Sequence, residues 1–143
     1  MKSIAATRPL RDFAAAAALF VGAIGTALSA DVSLKLSGAE EVPAVTTSAT
    51  GSGTIVIKSD KSVSGSVKTV GIEGTMAHIH LAPPGKNGPP IISLVKTADN
   101  VWSVPDGSTL TDDQFKSFQD GNLYVNVHSA AHPGGEIRAQ LKP

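Results

Sequence analysis

The chain has 143 residues, no cysteine and a formal net charge of +0. Without cysteine no disulfide can staple the fold, so a hydrophobic core must hold it. The lack of a basic excess argues against a nucleic-acid binder, which usually carries a basic patch.

The first thirty residues, "MKSIAATRPLRDFAAAAALFVGAIGTALSA", read as a secretory leader. Lys2, Arg8 and Arg11 give a basic start, an apolar run extends from Phe13 to Leu28, and Ser29-Ala30 supplies small residues for cleavage. The run is too short and too alanine-rich for a membrane span, which takes about 20 strongly apolar residues. No twin arginine precedes it, so the general secretory route is expected. Cleavage near Ala30 removes Lys2, Arg8, Arg11 and Asp12 and leaves residues 31–143 with a net charge of −2. The expectation is a single periplasmic or secreted domain without a membrane span.

From there the hydrophobic period is two. In "DVSLKLS", Val32, Leu34 and Leu36 alternate with polar residues. "GTIVIKS" puts Ile55 and Ile57 on one face, and "SVSGSVKTV" does the same with Val63 and Val67. "MAHIHL" sets Ala77, Ile79 and Leu81 against Met76, His78 and His80. "IISLV" follows, then "LYVNV" with Leu123, Val125 and Val127 inward, and "EIRAQL" with Ile137, Ala139 and Leu141 inward. Alternation of this kind marks half-buried antiparallel strands. Turn segments such as "SGAEEVPA", "KSDKS", "PPGKNGPP", "PDGS" and "HPGG" separate them. Trp102 in "NVWSVP" belongs to the core or its rim.

One segment departs from the pattern. "LTDDQFKSFQDG" predicts a short helix near residues 111–120. Thr111 and Gln114 have capping-box spacing, Leu110 and Phe115 hold the staple positions, and Gly121 can end it. Asp112 and Asp113 complement the positive end of the helix dipole. Phe115 and Phe118 share a face, so the helix should lid one end of the fold. Seven or eight short strands with one helix predict an all-β chain, an antiparallel β-sandwich or Greek-key barrel.

The segments "LSGAEEVPAV", "ATGSGTIVI", "AHIHLAPPGKNGPPIISL" and "GNLYVNVHSAAHPGGEIRAQL" occur in an order that resembles the CHRD domain, named for chordin and found in many exported microbial proteins. The resemblance runs from about Leu34 to Leu141. Leu81, Ala44 and Ala139 depart mildly from its usual pattern. It implies an immunoglobulin-like or copper-zinc-superoxide-dismutase-like sandwich. It implies little about function, which fold alone does not settle.

All four histidines lie in two of these segments. His78 and His80, at i and i+2 on a strand, point the same way, so a neighbouring strand can add a third ligand to one ion. His128 shares the parity of Tyr124 and Asn126, opposite Val125 and Val127. His132 lies in the turn before Gly134-Gly135. Met76 shares the parity of His78 and His80. A face of methionine and histidine suits copper, zinc less so, because cuprous ion favours thioether and imidazole. The alternative is structural: "HIH" and "VHS" would pin the following loop and last hairpin through hydrogen bonds to carbonyls. Glu136 and Arg138 share a face and are expected to form at most a surface ion pair.

Three functions follow. The first is a non-catalytic binding module whose loops meet a protein or glycan partner. The second is a metal-binding protein using His78, His80 and His128, with Met76 or His132 as a further ligand. The third is a copper-dependent dismutase-like enzyme, with Arg138 attracting superoxide. Four histidines cannot fill separate copper and zinc sites, so that enzyme would be copper-only.

Overall fold

The computed structural model describes residues 29–143. The expected leader therefore lies outside the described residues, apart from Ser29 and Ala30. Nine strands form: β1 (Ser29–Ser37), β2 (Thr50–Lys58), β3 (Val63–Val70), β4 (Gly74–Leu81), β5 (Pro90–Ser93), β6 (Val95–Ala98), β7 (Val101–Ser103), β8 (Leu123–Ser129) and β9 (Ile137–Leu141). Helix α1 spans Asp112–Gln119 between β7 and β8.

All pairings are antiparallel, in the order β5-β4-β8-β9-β1-β2-β3-β7-β6. The strands at the two ends of this order, β5 and β6, are consecutive in the chain and separated only by Leu94. The sheet thus folds back on itself into a nearly closed barrel. "IISLV", expected as one strand, is broken at Leu94, which is buried and donates its N–H to the carbonyl of Ala77. That break, with the short β7, raises the strand number above the seven or eight expected.

The parity expected from the sequence places the core. Val32, Leu34, Leu36, Ile55, Ile57, Val63 and Val67 meet Ala77, Ile79, Val125, Val127 and Ile137 in one apolar cluster, and Trp102 joins it. Leu81 packs at its margin, half-buried. The helix forms as its caps dictate. Thr111 and Gln114 make both bonds of the capping box. At the other end the N–H of Gly121 reaches Phe118 O and that of Asn122 reaches Ser117 O, the paired bonds of a Schellman stop. Phe118 is buried and Phe115 packs partly against the core.

Two neighbouring strands approach closely at Gly65, whose φ is +118° and which lies opposite Ile55. A β-carbon there would land on the carbonyl oxygen of Thr54, a backbone atom that cannot yield. Gly65→Ala is expected to cost about 3 kcal/mol or more, from strain plus clash. Gly107→Ala, also at positive φ but with open space around it, should cost only about 1 kcal/mol. Urea unfolding of the two variants measures the difference.

Candidate metal centre

The face of β4, β8 and β9 that turns away from the apolar core is polar in sequence and buried in the structure. His80, Tyr124, Asn126, His128 and Arg138 are each at most 8 % exposed. Strand register arranges them in rows. Met76 is opposite His128; His78 is opposite Asn126, which faces Arg138; His80 is opposite Tyr124, which faces Gln140. Sequence parity placed these residues on one face but could not reveal that loops cover it. The cover is the "PPGKNGPP" loop together with the segments around Glu41 and Gly135.

Arg138 holds that loop down. Its guanidinium donates to Lys86 O at 2.9 Å, Asn87 Oδ1 at 3.3 Å, Gln140 Oε1 at 3.1 Å and Pro83 O at 3.5 Å. It also lies 3.5 Å from the centroid of the Tyr124 ring. Gln140 donates to Ala82 O, and the N–H of Gly88 reaches the Tyr124 hydroxyl. The expected Glu136–Arg138 surface pair does not form. The Glu136 carboxylate instead accepts from Ser129 Oγ at 2.5 Å and Thr47 Oγ1 at 2.7 Å. Burial pushes its pKa up, but these hydrogen bonds prevail and hold it below the ordinary carboxylate range. Arg138, considered as a charge to attract superoxide, is 1 % exposed.

Within this layer His78, His80 and His128 each offer a ring nitrogen, and the three atoms lie within 4.8 Å of one another. Two of the rings are locked. His80 Nδ1–H donates to Gly88 O at 2.8 Å, and His128 Nδ1–H donates to Pro133 O at 2.9 Å. Each therefore presents an unprotonated Nε2 when neutral. His128 Nε2 meets His78 Nδ1 at 3.0 Å, so a single proton occupies the gap between them. His80 Nε2 is buried without a hydrogen-bond partner. Tyr124 stacks on the His80 ring, with centroids 4.8 Å apart and planes within 8°. Burial, then the neighbouring His128 and His80, pull His78 below its ordinary pKa. Burial does the same to His80, against the hydrogen bond to Gly88 that works the other way. Both rings are thereby held in the neutral form that ligates metals.

His132 stands outside this trio. Its backbone closes the last hairpin: its N–H donates to Ser129 Oγ, and its carbonyl accepts from Ser129 and Gly135. Met76 sits at the open side of the site, 47 % exposed and directly opposite His128. Among the described residues the three histidines are the single His/Cys/Asp/Glu cluster with metal-ligand spacing.

Sequence reasoning missed Glu41. It is 6 % exposed, and its Oε1 has no hydrogen-bond partner. Gly135, at φ +127°, lets the chain close over it; a β-carbon there would strike both Glu41 Oε1 and Asn126 Nδ2. Burial raises the Glu41 carboxyl to about 7, although Arg138, Asn126 and the Val42 backbone act to lower it. An acid beside a Val-Pro turn gives no hint of this in sequence, because the burying loop comes from more than ninety positions away.

The class these features define is an all-β domain with a histidine-bearing buried polar layer. The chain matches the CHRD domain over residues 32–141, and it belongs to that family. CHRD domains occur in extracellular and secreted proteins. No curated protein and no solved structure gives a significant match. Among the described residues, no helix is long and apolar enough to cross a membrane.

The Glu41 carboxyl sets a pH test. A raised folded value favours the protonated form, so its stabilising contribution is full below the unfolded value of 4.5 and is lost as pH rises through about 7. Glu41→Gln should match the wild type near pH 4. At pH 8 it should be more stable by about 3 kcal/mol. Urea unfolding of both proteins across this range checks it.

Proposed function

We propose that this CHRD domain is a metal-binding module, with copper as its ion and His78, His80 and His128 as its ligands. One observation carries the reading: three imidazole nitrogens lie within 4.8 Å of one another, and two of the rings are fixed by backbone carbonyls in the tautomer that a metal requires. A ligating histidine typically gives its second nitrogen to such a partner. The ion would replace the proton now held between His78 and His128. Met76, open to solvent beside His128, supplies a further soft ligand for cuprous ion. His132 is the weaker candidate, because its turn is built around Ser129.

The proposed setting is the periplasm or the extracellular space, after removal of residues 1–30. A dismutase-like role gains no support from Arg138, which is turned into the protein. A second reading, presentation of loop 83–89 to a protein or glycan partner, draws on one observation. The loop is tied down by the side chains of His80, Arg138 and Tyr124 while Pro83, Pro84, Gly85 and Lys86 stay exposed.

Copper and zinc titration of the purified protein beside a His78→Ala/His80→Ala double variant tests the first reading. One-to-one binding by the wild type and its loss from a folded variant are expected. Equal, weak binding by both would retire it. Met76→Leu should weaken cuprous binding about tenfold and leave zinc binding unchanged, in line with ligand softness.

A further inference from the structure

Charge surrounds the three histidines unevenly. An imidazole ligates in its uncharged form, and no carboxylate belongs to the cluster. A fixed charge buried in the same layer is the Arg138 guanidinium, 1 % exposed. Strand β8 lies between β4 and β9. The Tyr124 ring is therefore sandwiched, with His80 stacked from the β4 side and Arg138 from the β9 side. One ring thickness separates a ligand from a permanent buried cation. Every acceptor of Arg138 is a neutral oxygen: three main-chain or side-chain groups of the loop and Gln140. An acid that faces it is Glu41, whose carboxyl burial raises to about 7.

A cation in this environment is disfavoured in proportion to its own charge, because buried charges are poorly screened. A divalent ion on three neutral imidazoles meets twice the repulsion of a monovalent one, with no anionic ligand to offset it. We infer that the site selects by valence, taking cuprous ion in preference to zinc or cupric ion, and that Arg138, acting through the Tyr124 stack, is the residue that sets this preference. This rests on the metal-binding reading and deepens it. Arg138 touches no ligand nitrogen; it is a specificity-determining neighbour, and softness of the ligands alone does not require it.

The test is the ratio of Cu(I) to Zn(II) affinity, each measured by competition with a chromogenic chelator, the copper arm under anaerobic reducing conditions. The purified protein is compared with Arg138→Gln, which removes the charge, and Arg138→Lys, which keeps it. Arg138→Gln is expected to narrow the ratio by about tenfold or more, and Arg138→Lys to hold it within about threefold. Equal narrowing in both variants, or none in Arg138→Gln, overturns the inference. If Arg138→Gln does not fold, Glu41→Gln at pH 8 decides. Losing the acid that faces Arg138 should widen the ratio, and an unchanged ratio overturns the idea. Binding that disappears with His78 and His80 but ignores Arg138 and Glu41 would sink the valence preference alone. Absence of any histidine-dependent binding would sink the metal site and this inference with it.

Discussion

The buried guanidinium of Arg138 is the contact on which the histidine-bearing polar layer depends. It bonds the carbonyls of a proline-rich loop that has few backbone partners of its own, and it stacks on the ring that supports His80. Buried polar groups are costly unless satisfied, and a buried cation more so. Here the cost is met by four acceptors and an aromatic face. The return is a loop fixed in one place, and with it Gly88, whose carbonyl fixes the tautomer of His80. Arginine suits the task because its planar fork can bond in plane and stack at once, which lysine cannot do.

The sequence left two accounts of the histidines open, structural pins or metal ligands. An imidazole has two nitrogens, and the structure uses them separately. Nδ1 of His80 and of His128 pins a loop carbonyl, as the structural account expected. Nε2 of each is thereby aimed into the cluster, as the metal account requires. Pinning one nitrogen leaves the other free to ligate, so the two roles do not exclude each other.

Much of the fold was legible because period-two alternation reports which face meets the core. Ile55, Ile57, Val125, Val127 and Ile137 are all fully or almost fully buried, as their parity demanded. The capping box at Thr111 and Gln114 was legible because it is local. What alternation cannot report is a second covered face. Tyr124, Asn126 and Arg138 read as outward, and they are outward from the apolar core, yet loops far away in sequence bury them. Glu41 was invisible for the same reason: its burial depends on Gly135 and Asn126. The break at Leu94 was missed because a run of apolar residues does not announce where the chain changes partners.

Consecutive β5 and β6 occupy the two ends of the nine-stranded order. Any open sheet has two rims, and exposed rims recruit foreign strands. In this chain both rims are four-residue strands drawn together by a single linking residue, and one begins with a proline that has no N–H to offer. A protein without disulfides has no covalent brake on partial opening, so the shortness of both rims and the proline in one of them are what limit strand addition there.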